Sequence, residues 1–172
     1  MHEIDDEDSV TDNVTPAEHR KVLTAAETGD TVKLSKYLQR NSELAFVVDC
    51  DGYTPLHRAS QGNHCDAIKL LLDRGVPVNA QTANGWTALH CASHWKNIEA
   101  AALLLDNGAD VNALTSGNVT ALHLAAAARD RRLLELFLYH PDIDIDIKND
   151  SGDTAYAIAV RNGPFAVMFN NI

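Results

Sequence analysis

The sequence predicts an all-α solenoid of four to five helix-turn-helix units with short β-hairpin fingers. Three observations lead to this prediction. The tetrapeptide Thr54-Pro55-Leu56-His57 returns as Thr87-Ala88-Leu89-His90 and as Thr120-Ala121-Leu122-His123, each time after 33 residues. Turn signals rich in glycine and asparagine recur with the same period. The apolar residues between the turns keep helical spacing. A fixed period of this length indicates a stack of like units, because a single closed globule has no such repeat.

Composition limits the class of protein. The chain has 172 residues, of which 45% are hydrophobic and only 6% aromatic, which suits thin layers of small helices. Its net charge of −10 argues against direct binding of nucleic acid, whose phosphates attract basic proteins. We expect a nuclear or cytoplasmic protein that is neither secreted nor bound to a membrane. No apolar run approaches the length of a span, and the acidic start does not resemble a signal peptide.

The N-terminal segment, residues 1–15, differs from the rest of the chain. It contains six acidic residues, no lysine or arginine and few bulky apolar residues. Such a segment buries too little apolar surface to offset its ordering entropy, so the sequence predicts disorder here. Pro16 suits the first turn of a helix, with Thr15 as its N-cap. The repeat domain is therefore predicted to cover residues 16–172.

The second unit shows how each repeat is expected to fold. A turn at residues 49–53 contains Gly52, which is free to adopt a positive φ. Thr54 caps a first helix that begins at Pro55 and stops near Gly62-Asn63. A second helix, with apolar residues at helical spacing, ends at Gly75. Applied along the chain, this pattern gives units at about 17–48, 49–81, 82–114, 115–148 and 149–172.

The terminal units depart from the pattern. The first unit is expected to be degenerate and to lack the Thr-Pro-Leu-His start, as end repeats often do. The last unit begins at Thr154, one residue later than the period requires. Apolar residues between Phe165 and Phe169 predict a short final helix that closes the stack.

The recurring Thr-Pro-Leu-His, the run Gly-Ala-Asp-Val-Asn-Ala at 108–113 and the 33-residue period resemble the ankyrin repeat. The resemblance covers about residues 17–172. The glycine that stops the first helix in that pattern is replaced by Asn63, Lys96 and Arg129, which affects loop detail only. A closer resemblance is to a group of ankyrin repeat proteins with an acidic N-terminal segment and about four repeats. It implies a nuclear protein associated with germ-cell development, autophagy and transcriptional regulation.

The repeated histidines raise the question of a metal site. His57, His90 and His123 lie one repeat apart, and stacking separates consecutive units by roughly 10 Å, so one ion cannot reach all three. The favoured interpretation is structural. Each ring is expected to bond its own threonine, Thr54, Thr87 or Thr120, and a neighbouring backbone carbonyl.

No other group of residues predicts a metal, a cofactor or catalysis. Cys65, Cys91, His64 and His94 match no zinc spacing, and the three cysteines, including Cys50, are expected to be free thiols. The aspartates at 142, 144 and 146 lack the glycine and glutamate of a calcium loop and favour a polar-out, apolar-in strand or turn. We therefore expect a monomer that is not an enzyme.

The resemblance implies which residues face the concave groove of the stack. They are the residue before each threonine and the two residues after each Ala-Ala pair. These positions bring together Trp86, His94 and Trp95 in one unit, with Tyr53 and Arg58 beside them. Tryptophan, tyrosine and arginine are enriched at binding hot spots, so we predict that these five residues bind a protein partner. The alternative is that the tryptophans pack as core between repeats.

Asn112 is a candidate modification site. Its context, Asp110-Val111 before it and Leu104 eight residues earlier, resembles that of ankyrin asparagines hydroxylated by the hypoxia-factor asparaginyl hydroxylase. The alternative is loop bracing through bonds from its side-chain amide to the backbone.

Overall fold

The computed structural model describes residues 15–171 and has nine α-helices and two 3-10 helices among them. The predicted acidic segment lies outside the described residues, apart from Thr15, which caps the first helix. The α-helices are α1 (Pro16–Glu27), α2 (Thr31–Arg40), α3 (Pro55–Gln61), α4 (Cys65–Leu72), α5 (Ala88–His94), α6 (Ile98–Asp106), α7 (Ala121–Ala128), α8 (Arg131–Leu138) and α9 (Ala155–Asn162). The 3-10 helices are Ser42–Phe46 and Pro164–Asn171.

The helices form two layers. The odd-numbered helices α1 to α9 pack in sequence against one another, and the even-numbered helices α2 to α8 form a second row. Within each of the first four units the two helices also pack on each other, and Pro164–Asn171 takes the second-row place after α9. The predicted all-α solenoid is confirmed. Its buried residues form one continuous cluster along the stack, because each unit covers its apolar face with its neighbours.

Capping residues and left-handed turns determine where the first helix of each middle unit begins and ends. Thr54, Thr87 and Thr120 cap α3, α5 and α7, and in each case the side chain accepts a hydrogen bond from the N–H of the histidine three residues later. The chain then turns through a left-handed residue, with φ of 57° at Asn63, and Lys96 and Arg129 adopt the same conformation. A lysine or arginine in this region costs roughly 1–2 kcal/mol, which the surrounding packing offsets.

The fingers between units are hydrogen-bonded turns. In the third unit the N–H of Thr82 donates to the carbonyl of Trp86 at 2.9 Å, and the same bond closes the other described fingers. Residues 15–171 contain one antiparallel β-bridge, between Lys148 and Thr154, and no longer strand. The predicted β-hairpin fingers are thus too short to form a strand ladder. Gly52 has the predicted positive φ, and a Cβ there would lie 2.8 Å from the N of Ala83.

The first unit begins as predicted and lacks the Thr-Pro-Leu-His start. Thr15 caps α1, with Pro16 in its first turn. Glu18 takes the place of the histidine, and its carboxylate accepts from the N–H of Thr15 at 3.0 Å. Helix α1 has 12 residues where α3 and α5 have 7, so this start falls outside the 33-residue period.

The final helix is present as the 3-10 helix Pro164–Asn171. It packs against α8 and α9. Phe169 is 7% exposed, and its ring contacts Tyr156 edge to face, with 5.7 Å between centroids. This short segment therefore covers the end of the apolar core.

Candidate binding groove

The repeated histidines link consecutive units. Nδ1 of His57 lies 2.8 Å from the hydroxyl of Thr54 and accepts from the Thr54 N–H at 3.2 Å. Since Nδ1 accepts, Nε2 carries the proton and donates to the carbonyl of Trp86 in the next finger, at 2.9 Å. The same bonds recur from His90 to the carbonyl of Val119 and from His123 to that of Asp153.

Burial of these histidines favours the neutral ring. Desolvation lowers the pKa of His57, His90 and His123, although the bonded carbonyls partly oppose it. Both nitrogens of each ring already have protein partners. The arrangement holds the fingers against the odd-numbered helices and leaves no ring nitrogen for a metal or a proton transfer. We call the surface between the fingers and the odd-numbered helices the groove.

Three rings form a corner in the groove of the third unit. Trp86 comes from the finger, His94 from the end of α5 and Trp95 from the cap that follows. His94 meets both tryptophans edge to face, with centroid distances of 5.5 Å to Trp86 and 5.4 Å to Trp95. Trp86 is half-buried, while Trp95 is 58% exposed. The sequence left open whether the tryptophans pack as core between repeats or bind a partner. Core packing fits Trp86 in part, whereas the indole of Trp95 lies largely in solvent.

The second unit adds a cation over an aromatic ring. The guanidinium of Arg58 lies 4.8 Å from the ring centroid of Tyr53. Such cation–π contacts contribute about 0.5–1 kcal/mol at exposed sites. The edge of the Tyr53 ring also meets His57 at 5.7 Å, and His57 bonds the backbone of Trp86. These contacts place Tyr53 and Arg58 in the unit adjoining the ring corner.

Asp49 fixes the position of Arg58 and was missed by sequence reasoning. Its carboxylate pairs with the guanidinium and accepts from the N–H groups of Asp51 and Tyr53. Partial burial disfavours the charged form, but these hydrogen bonds outweigh it and hold the pKa of Asp49 below its usual value. The only sequence signal is an aspartate at the start of the finger, which also fits an ordinary turn.

The side chains at these groove positions are small in the fourth unit and charged in the fifth. The positions equivalent to Trp86, His94 and Trp95 hold Val119, Ala127 and Ala128 in the fourth unit. In the fifth unit Asp153 and Arg161 form an ion pair. The exposed indole of Trp95 therefore stands beside small side chains, which leaves room for groups of a partner.

Asn112 braces neighbouring loops. Its amide nitrogen donates to the carbonyl of Asp142 at 2.7 Å, and its amide oxygen accepts from the N–H of Asp144 at 2.9 Å. Asn79 makes the equivalent pair of bonds one unit earlier. A modifying enzyme would reach the Asn112 side chain only after this loop opens.

Among the described residues, the structure does not bring together the four side chains considered for a metal site in the sequence, which are His64, Cys65, Cys91 and His94. Cys91 is buried, and desolvation raises the pKa of its thiol to about 12, as expected of a small core residue. Among the described residues, one group of candidate ligands comes together: Asp49, Cys50 and Asp51, with ligand atoms within 4.8 Å of one another. Its least exposed member, Asp49, already bonds Arg58. The predicted polar-out pattern at 142–147 is present, with exposed aspartates and half-buried isoleucines.

The helices described in residues 15–171 include none that is long and apolar enough to cross a membrane.

Comparison with known proteins identifies the repeat. A family model for ankyrin repeats in three copies matches residues 22–115, and a second ankyrin repeat model matches residues 104–159. The chain is similar to ankyrin repeat domain-containing protein 49 of Bos taurus, with 52% identity over 149 residues, and to that of Homo sapiens, with 51% over 151. These alignments cover 86% and 87% of this chain, and the chain spans 63% of the length of either relative. A shorter stretch of 56 residues, 33% of this chain and 5% of the relative, is 43% identical to the human SMC5-SMC6 complex localization factor protein 1.

Proposed function

The chain belongs to the ankyrin repeat family, and from this premise we propose that it binds a segment of a partner protein in the groove. Ankyrin repeats are protein–protein interaction modules and typically have no catalytic role. The partner would contact Trp86, His94 and Trp95 in the third unit and Tyr53 with Arg58 in the second.

The exposure of Trp95 is the observation that carries the proposal. An indole that is 58% exposed contributes little to the core, yet it stands in a row of positions that share one face. Trp86 and His94 contact each other, and His94 contacts Trp95, so these rings are already ordered before a partner binds. Binding would therefore cost little side-chain entropy. Buried aromatic anchors of this kind dominate the energy of protein interfaces.

The test compares two exposed aromatic residues. Tyr139, at the end of α8, is 76% exposed and lies outside the groove. Proteins retained from cell extract by the wild type should also be retained by Tyr139→Ala. Trp95→Ala should bind the same proteins at least about tenfold more weakly, as expected for loss of a hot spot worth about 1.4 kcal/mol or more.

Circular dichroism would verify that both variants keep the wild-type fold. The proposal is wrong if Trp95→Ala, correctly folded, retains every partner with unchanged affinity. A Trp86/Trp95 double alanine variant extends the comparison to the whole corner. Since Trp86 is half-buried, its loss is expected to lower stability as well as binding.

A second candidate role comes from the relatives alone. The resemblance noted from the sequence implies a nuclear regulator of transcription, germ-cell differentiation or autophagy, and we propose that such a role would be carried out through groove binding. The described residues contribute no separate argument for it. Imaging of the tagged protein in cells tests the role, since a purely cytoplasmic distribution would exclude a nuclear regulator.

A further inference from the structure

A pocket opens on the surface of the first repeat, away from the ring corner. It has a volume of about 340 Å³ and lies along α1 and α2. Its lining includes Arg20, Lys21 and Thr24 from α1, the C-cap Thr28 that follows, and Lys33 and Tyr37 from α2. Helix α1 packs on α3 on one side, and as the first helix of the stack it has no repeat before it among the described residues.

The charge of this pocket is opposite to that of the chain. Three of its lining residues are cationic, and one, Asp30, is anionic. Asp30 pairs with Lys33 at 2.7 Å, which leaves Arg20 and Lys21 as exposed cations on the rim. On a chain with a net charge of −10, this is a local site that attracts acidic groups.

A matching acidic segment directly precedes α1. Residues 1–14 contain Glu3, Asp5, Asp6, Glu7, Asp8 and Asp12, with no lysine or arginine, and they also include Ile4, Val10 and Val14. Acidic groups suit the rim of the pocket, and apolar side chains suit the ring of Tyr37 and the methyl of Ala25 at its floor.

Residues 1–14 are long enough to reach every part of the pocket. Arg20 lies five residues into the chain from Thr15, or roughly 7–8 Å along the helix axis, and Thr28 lies about 20 Å from it. Fourteen residues can extend to about 46 Å, so the segment can fold back along the whole pocket. Its attachment at Thr15 also keeps its local concentration high, in the millimolar range typical of short tethers.

We propose that residues 1–14 bind in this pocket, with their carboxylates against Arg20 and Lys21. Because the tether supplies the high local concentration, weak ion pairs suffice, and binding should weaken as salt is added.

The experiment is a double-mutant cycle on the full chain. One change neutralises the six acidic residues of 1–14 to Asn or Gln, and the other is Arg20→Glu with Lys21→Glu. If the segment binds the pocket, each change alone lowers Tm by about 2 °C or more at low salt, and the two together cost less than their sum. A matched control pair, Lys69→Glu with Lys148→Glu, has the same charge change on exposed residues of other units and should add independently.

Amide NMR spectra of the same variants provide a direct readout. Neutralising the segment should shift the signals of Thr24, Thr28 and Tyr37, and added salt should shift them in the same direction. The proposal is overturned if these signals do not move, or if the control pair couples to the segment as strongly as the pocket pair. It is also overturned if the signals move with protein concentration instead, since the pocket would then face a second copy.

Discussion

Replacement of His90 tests whether the repeated histidines hold the units together. His90 is fully buried, and its Nδ1 accepts from the N–H of Thr87 at 3.1 Å. Its Nε2 proton bonds the carbonyl of Val119 in the next finger at 2.9 Å. His90→Ala removes both bonds and the contact of Nδ1 with the Thr87 hydroxyl, and it opens a cavity. The buried N–H of Thr87 then has no partner, while the carbonyl of Val119 keeps its bond from the N–H of Thr115. At about 1–2 kcal/mol for each lost contact and a further cost for the cavity, the free energy of unfolding should fall by about 3–5 kcal/mol.

Two further substitutions separate the bonds. The amide oxygen of Asn can replace Nδ1 as acceptor, so His90→Asn should keep the bond within the unit and lose the bond to Val119. The longer Gln can place its amide nitrogen near Nε2, so His90→Gln should do the reverse. Each is expected to cost about half as much as alanine.

Urea unfolding followed by circular dichroism at pH 7.5 measures these costs. The control is His94→Ala on the same helix, whose exposed ring meets the two tryptophans edge to face and should contribute no more than about 1 kcal/mol. The reasoning is refuted if His90→Ala costs no more than His94→Ala. Hydrogen exchange at the finger that contains Val119 adds a local readout, because His90→Asn should speed exchange there more than His90→Gln does.

Three other predictions concern pH, the end of the stack and modification. Burial lowers the pKa of His57, His90 and His123, so these rings take up protons on unfolding at mildly acidic pH. The free energy of unfolding should therefore decrease as the pH falls below about 6.5, by up to about 1.4 kcal/mol per pH unit for each ring. A free energy of unfolding that stays constant between pH 7 and 5.5 would contradict this. Deletion of residues 165–172 should lower Tm by about 5 °C or more, because Phe169 no longer covers the core, and an unchanged Tm in a thermal scan would show that the final helix is dispensable. Asn112 should be hydroxylated in cells, gaining one oxygen, at a rate limited by opening of the loop that its side chain braces. Fragment mass spectra of cell-derived protein check this. Spectra with no added oxygen at Asn112 would leave loop bracing as its role.

The middle repeats could be predicted from sequence because their signals are local. A capping threonine, a histidine three residues later and a left-handed turn define each unit without reference to the rest of the fold. The start of the first unit could be predicted as a helix cap, but it does not match the repeat motif, because Glu18 replaces the histidine and Thr54 follows Thr15 by 39 residues, not 33. Helix α1 is five residues longer than α3, which accounts for most of the six-residue difference.

The groove could be predicted only in outline. Counting from the threonines identifies Trp86 and Trp95, since repeat geometry fixes which positions share a face. It does not distinguish the half-buried indole from the exposed one, because that depends on rotamers and on the small residues of the next unit. The pairing of Asp49 with Arg58 and the pocket on α1 and α2 also depend on residues that are distant in sequence or unremarkable in type.

The histidine bonds all run in one direction along the chain, from the helix of one unit to the finger of the next. They secure three consecutive junctions, whereas Glu18 bonds back to Thr15 and α9 has Ala157 in the equivalent place. A force that pulls the two ends of the stack apart would act on these three junctions in series, and each junction is held by the same kind of hydrogen bond. The molecule should therefore extend in steps of one repeat instead of rupturing at once, and the first unit, which in residues 15–171 has no such junction to the second, should unfold before the others.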